Sequence, residues 1–183
     1  MQHGNILLFP TEILTFKFNV DEIRPLINEV INKKNEIKKI NSIYSNNGGS
    51  GDYYTDFSDP IKLFEYEKLM LSIANYFHSN NTPFFMKNYW TAIYHLSGLH
   101  DKHVHTNFVK GEDANYSSVL YLTNIGETLF HNPNPTCTYD NEFVKSEVGK
   151  LIFFPSGADH AHGVKEITKG ERFTLATWFT RDK

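Results

Sequence analysis

Three stretches near the C-terminal end decide the fold: Gly149-Lys150-Leu151-Ile152-Phe153-Phe154-Pro155-Ser156, His160-Ala161-His162-Gly163-Val164, and Gly170-Glu171-Arg172-Phe173-Thr174-Leu175-Ala176-Thr177-Trp178-Phe179. An apolar strand leads to a histidine pair. Ten residues after His162, an arginine sits in a second apolar strand. Upstream lies a further cluster, His100-Asp101-Lys102-His103-Val104-His105. Two histidine clusters flanking β-rich sequence point to a metal held inside a β-barrel. An arginine behind them points to a bound carboxylate.

Working outward, the chain from Phe84 onward reads as strands: Phe85–Tyr94, Ser117–Leu122, Thr128–His131, Leu151–Phe154, His162–Ile167 and Phe173–Phe179. Asn132-Pro133-Asn134-Pro135 reads as a turn. Before Phe84 the periodicity differs. Ile6 to Phe18 alternates as a strand broken at Pro10, and Asn19 or Asp21 can cap a helix whose apolar face is Ile23, Leu26, Ile27, Val30 and Ile31. Ser45–Ser58 is rich in Asn, Gly, Ser and Asp and reads as loop. Asp59-Pro60 starts a second helix to about His78, with Leu63, Leu69, Ile73 and Phe77 facing in. The expected fold is α+β, mainly β: a double-stranded β-helix, or jelly-roll barrel, with two or more N-terminal supporting helices. One domain is expected over residues 1–183, with strand, helices and a lid loop in 1–83 and the barrel core in 84–183. A chain of 183 residues buries enough apolar surface to need no covalent staples.

The formal net charge of −3 carries no nucleic-acid footprint. The single cysteine, Cys137, excludes an internal disulfide framework. Met1-Gln2-His3-Gly4-Asn5 has no basic region followed by an apolar one, and no apolar run approaches membrane length, so the expected location is cytoplasmic.

His103 and His105 are spaced i, i+2, which on a strand places both imidazoles on one face. A third ligand would come from a distant strand. His162 is preferred because it leads through Gly170 to Arg172, although His160 shares its strand face. The alternative for His103 and His105 is a solvated loop beside Gly98 and Lys102. His95 and His100 are expected at the rim of the site. Arg172 stands in an otherwise apolar strand, where an unpaired guanidinium is costly. With Thr174 on the same face it can grip a carboxylate, bidentate from the guanidinium and single from the hydroxyl. The competing reading is a salt bridge to Glu171 or Glu127. Tyr94 and Tyr121 are placed to donate phenol hydroxyls to the same carboxylate.

The order Tyr94…His103-x-His105…Tyr121-Leu122…Gly149…Phe154…His162…Gly170-x-Arg172-x-Thr174 resembles the 2-oxoglutarate/Fe(II)-dependent oxygenases, and within them the prolyl-hydroxylase-like order. Leu8-Phe9-Pro10-Thr11 and Ser45-Asn46-Asn47-Gly48-Gly49 extend the similarity, to a small branch of that family, over nearly the whole chain. The resemblance implies Fe(II) held by His103, His105 and His162. It implies 2-oxoglutarate on that iron, with its far carboxylate on Arg172, assisted by Thr174 and by Tyr121 or Tyr94. With dioxygen as the third reactant, the implied outcome is hydroxylation of a small-molecule or peptide substrate, with release of succinate and carbon dioxide. The Ser45–Ser58 and Asn107–Asn115 loops are expected to form a lid. One departure is plain. The family's usual pair is His-x-Asp, whereas this chain has His103-Val104-His105, which replaces a carboxylate by an imidazole and leaves a 2+ site where the usual triad leaves 1+. Asp101 is the alternative source of a carboxylate. Two rival functions follow from a three-histidine site: a metal-binding sensor barrel without turnover, and a cupin-like dioxygenase in which Arg172 holds the substrate itself.

Overall fold

The computed structural model describes residues 2–8, 11–37, 52–54, 61–80, 84–105, 114–133 and 141–181. Two antiparallel sheets and two helices organise them. The strands are β1 (Gln2–Leu8), β2 (Thr11–Lys17), β3 (Asp52–Tyr54), β4 (Phe85–Tyr94), β5 (His100–His103), β6 (Tyr116–Tyr121), β7 (Glu127–Phe130), β8 (Glu142–Lys145), β9 (Lys150–Pro155), β10 (His162–Val164) and β11 (Arg172–Thr180). The helices are α1 (Val20–Ile37) and α2 (Phe64–Ser79). The larger sheet has the order β1-β2-β9-β6-β11-β4-β3, and the smaller one β5-β10-β7-β8. This is the expected double-stranded β-helix.

The strand broken at Pro10 is a hairpin, β1 paired with β2 from Gln2↔Lys17 to Leu8↔Thr11. Through β2 on β9 and β3 on β4, the first half of the chain adds strands to the larger sheet. Asp52–Tyr54, read from sequence as part of a loop, is therefore a strand; its cross-strand partners Tyr94, Ile93 and Ala92 supply the ladder that its own composition does not advertise. The rest of the proposed Ser45–Ser58 lid lies outside the described residues. So do the Ser45–Gly49 motif and most of the Asn107–Asn115 segment. β8 was missed because Glu142-Phe143-Val144-Lys145 buries only Val144 and shows little apolar alternation.

The central strands of the larger sheet have one face toward the helices and one toward the smaller sheet. Along β11, Phe173, Leu175 and Phe179 join the helix-side core, which includes Ile23, Leu26, Val30, Tyr66, Ile73 and Phe77. Arg172, Thr174 and Ala176 alternate onto the inner face and line a cavity between the sheets. Asn19 rather than Asp21 caps α1. Its Oδ1 accepts from Asp21 N at 3.0 Å, and its own N donates to Glu22 Oε2 at 2.9 Å, so donors at the helix end are answered reciprocally. Ile31 points to solvent at 55% exposure, since the apolar stripe follows Ile23, Leu26, Val30 and Ile37.

The second helix begins at Phe64, later than the Asp59-Pro60 start expected, and those two residues lie outside the described set. The start is set by tertiary partners. Glu29 of α1 accepts from Phe64 N and Glu65 N at 3.0 and 3.1 Å, and the Tyr89 hydroxyl of β4 accepts from Leu63 N at 2.9 Å. A carboxylate at a helix N-terminus satisfies orphan donors and the macrodipole together.

Candidate metal centre and carboxylate pocket

The site is built where β5 and β10 pair in the smaller sheet, opposite the inner face of β4 and β11. His162 pairs with His103, and Val164 with His100, so two steps along β10 match three along β5. The extra residue is a β-bulge, and it reverses the side-chain alternation. His100 and His103, three residues apart, consequently share a face: their rings stack at 4.0 Å with an interplanar angle of 18°. Gly163 permits the close approach of the two strands, since a Cβ there would stand 2.5 Å from the His100 carbonyl oxygen. Gly163→Ala is expected to force β5 and β10 apart, costing about 1–3 kcal/mol of stability by overpacking. Chemical denaturation measures that loss, and metal titration of the folded fraction should show weakened binding.

His103, His105 and His162 come together, with one ring nitrogen from each within 4.8 Å of the others. His103 Nε2 and His105 Nε2 are 3.1 Å apart. His103 ends β5, and His105 lies beyond it, so the i, i+2 geometry persists past the ladder. The opposite ring nitrogens are fixed. His103 Nδ1 donates to the Asp101 carbonyl and His162 Nδ1 to the His160 carbonyl, each at 2.9 Å, while His105 Nδ1 lies 2.6 Å from Ser117 Oγ. A carbonyl only accepts, so the first two rings keep Nε2 unprotonated when neutral. Outward Nδ1 anchoring is how metal-ligating imidazoles are oriented. Burial favours the neutral form of all three rings, pushing the pKa of His103 down and those of His105 and His162 well down, with the neighbouring histidines adding to the effect at the last two. Three neutral, convergent imidazoles with open space beside them are a fit donor set for a divalent transition metal.

The alternatives fall elsewhere. The Asp101 carboxylate is exposed, and only its backbone carbonyl takes part in the site. His160 is buried, but its ring packs on Phe154 at 6.4 Å and is not in the convergent group. His95 pairs with Glu171 at 2.8 Å. His100, expected at the rim, instead lines the cavity. Burial first, then His103 and Arg172, push its pKa down to about 3.

Arg172 stands at the other end of the cavity, 1% exposed. Neither salt bridge considered from sequence forms among the described residues: Glu171 pairs with Lys34 and His95, and Arg172 meets only hydroxyls. Its Nε donates to Ser146 Oγ at 3.2 Å and one Nη to Thr128 Oγ1 at 2.9 Å. The rings of Tyr94 and Tyr121 lie 5.0 and 5.4 Å from the guanidinium carbon. Tyr94, directly opposite Arg172 on β4, lines the cavity with Thr174. The Tyr121 hydroxyl is 2.8 Å from Thr128 Oγ1 and also meets Arg172, and burial pushes its pKa up to about 12. Thr128, Ser146 and Ser117 were missed from sequence because lone hydroxyls carry no pattern. His100 was misplaced because the bulge is invisible there. Trp90 and Trp178, 5.8 and 5.5 Å from the His105 ring, form an aromatic wall on one side of the site.

The titration has a direct consequence for the metal-free protein. Unfolded imidazoles ionise near pH 6.5, whereas these rings stay neutral in the fold. Below that pH the unfolded chain takes up protons the native state refuses, so stability, full above about pH 6.5, falls as pH drops. Each such ring contributes about 1.4 kcal/mol per pH unit. Denaturant midpoints at pH 7.5, 6.5 and 5.5 should decline in that order; a flat series would mean that the rings ionise in place.

The chain is similar to known proteins in sequence and in fold. Human prolyl 3-hydroxylase 2 is 30% identical over 139 residues, which cover 63% of this chain and 19% of that protein. The chain thus spans about a fifth of the length of the curated relatives it matches first. A Pseudomonas putida prolyl-4-hydroxylase shares the fold at a TM-score of 0.69 and 18% identity, covering 99% of this chain and 93% of that one. A Trichoplax adhaerens prolyl hydroxylase, solved with a hypoxia inducible factor oxygen degradation domain peptide fragment, does so at 0.68 and 15%, covering 93% and 84%. No helix among the described residues is long and apolar enough to cross a membrane. Half of the chain, residues 89–180, which carry the convergent histidines and Arg172, matches the model of one family, and the chain belongs to it: the 2OG-Fe(II) oxygenase superfamily.

Proposed function

We propose that the protein is an Fe(II)- and 2-oxoglutarate-dependent dioxygenase that hydroxylates a C–H bond. The observation that carries this reading is the pairing, in one cavity, of three convergent neutral imidazoles with a buried guanidinium that has no acidic partner among the described residues. His103, His105 and His162 would hold the iron. When bound, iron with 2-oxoglutarate and dioxygen supplies the oxidising power for hydroxylation, with succinate and carbon dioxide as coproducts.

The chain's own residues do the remaining work. Arg172 neutralises and orients the far carboxylate of the cosubstrate. Thr128 and Ser146 accept from the guanidinium and fix its plane, and Tyr121 holds the Thr128 hydroxyl. Thr174 and Tyr94 offer hydroxyls along the cavity wall. Ser117 and the Asp101 and His160 carbonyls hold the ligand rings in place. Trp90 and the apolar side chains Ala92, Val119 and Ala176 keep the chamber dry, which strengthens every polar contact inside it. The prolyl hydroxylases among the relatives make prolyl peptides the first substrates to try.

The test is anaerobic. Adding 2-oxoglutarate to the Fe(II)-loaded protein should produce a new visible absorption band, and succinate should accumulate once oxygen is admitted. Metal binding without any spectral response would favour the sensor barrel. Oxidation of a substrate without consumption of 2-oxoglutarate would favour the cupin-like dioxygenase.

A further inference from the structure

Among the described side chains, none brings a negative charge into the cavity. Its lining includes four histidines and Arg172, and no aspartate or glutamate among the described residues. The position where the family's usual pair has an aspartate holds His105, 7% exposed and hydrogen-bonded to Ser117. Asp101 turns outward, and Glu171 is taken by Lys34 and His95. With neutral imidazoles, a divalent metal contributes 2+ and Arg172 contributes 1+. A bound 2-oxoglutarate returns 2−. One positive charge is left over in a buried chamber, where an uncompensated charge is strongly disfavoured. In a site with a carboxylate ligand the same sum is zero.

From this charge sum, and resting on the oxygenase reading above, we infer that the substrate carries an anionic group, a carboxylate in the simplest case, which enters the cavity beside the three-histidine centre and completes its charge. The inference separates this chain from relatives with a His-x-Asp pair: a neutral peptide or amide leaves the site one charge short, whereas an acidic substrate balances it.

The test uses acetate and acetamide, which have nearly the same shape and differ in charge. Each is titrated into the Co(II)-loaded protein, with and without saturating 2-oxoglutarate and without oxygen, and followed by the visible cobalt bands and by calorimetry. Acetate is expected to bind at least tenfold more tightly than acetamide in both states. In His105→Asp, which supplies the missing charge, the ratio should fall toward one. In the neutral His105→Asn it should persist. Equal affinity for the two probes in the wild type overturns the inference without recourse to any variant, and so does an undiminished ratio in a His105→Asp protein that loads cobalt. If 2-oxoglutarate fails to bind while the acetate preference persists, the oxygenase reading falls and the charge requirement stands.

Discussion

Arg172→Ala is expected to weaken 2-oxoglutarate binding by about two orders of magnitude or more while changing metal affinity little. The guanidinium is 1% exposed and meets hydroxyls rather than a carboxylate, so its charge waits for a ligand. Truncating one partner of a buried, hydrogen-bonded charge pair costs about 2–5 kcal/mol, part of it the penalty of leaving the other charge unpaired. At about 1.4 kcal/mol per tenfold, that is one and a half to more than three orders of magnitude. Metal affinity should hold because Arg172 is not in the convergent group. Arg172→Lys should recover only part of the loss: the fork that reaches Ser146 and Thr128 at once becomes a point charge that cannot satisfy both and face a carboxylate. Calorimetric titration of 2-oxoglutarate into the anaerobic metal-loaded proteins measures all three. Equal affinity in wild type and Arg172→Ala would remove the cosubstrate role. The same variant in the metal-free protein should lose little stability, since three hydroxyls and two phenol rings are left around a space water can fill.

How much of this was legible in the sequence depends on period. β4 was read to its exact ends and β11 to within a residue, because period-two alternation with buried aromatics is a direct trace of a sheet with two covered faces. The same alternation puts Arg172 and Thr174 on one face, which is why the carboxylate end of the site could be read residue by residue. The metal end was legible in ligand identity but not in arrangement. His103 and His105 converge as spaced, yet the strand ends between them. His100 entered the cavity through a bulge, a property of the β5–β10 pairing that neither strand declares alone. The start of α2 was misjudged for a similar reason: Glu29 and Tyr89, distant in sequence, decide where the first free N–H groups are satisfied. Hydroxyl partners such as Ser117 and Thr128 were illegible, since what selects them is the geometry of the imidazole and the guanidinium they serve. Where local pattern dictated structure the sequence was sufficient; where a partner from another element did, only the fold could supply it.

Removing a convergent ring should have the largest effect. His162→Ala and His103→Ala are expected to abolish stoichiometric Fe(II) binding, because Fe(II) stands near the weak end of the affinity order for nitrogen ligands and two imidazoles alone hold it poorly against water. His160→Ala should retain it. The two distal histidines, two residues apart, are separated by what lies between them: His160 ends a short 3-10 turn, Ala158–His160, and packs against Phe154, whereas His162 opens β10 opposite His103. The His160 backbone carbonyl, which anchors His162 Nδ1, survives the substitution of its side chain. Position 105 tests the departure from the family's usual pair. His105→Asp should still bind iron, since a carboxylate oxygen replaces the imidazole nitrogen, and should lower the charge of the centre by one. His105→Ala should lose it, with the Ser117 and Ser156 hydroxyls left to each other at 2.7 Å. Anaerobic metal titration of the five variants, with circular dichroism to establish that each is folded, distinguishes these outcomes. Retention of iron by His162→Ala alongside its loss in His160→Ala would reassign the distal ligand. Undiminished affinity in His105→Ala would reduce the centre to two histidines and return Asp101 as the residue to test, at the expense of the charge argument built on His105.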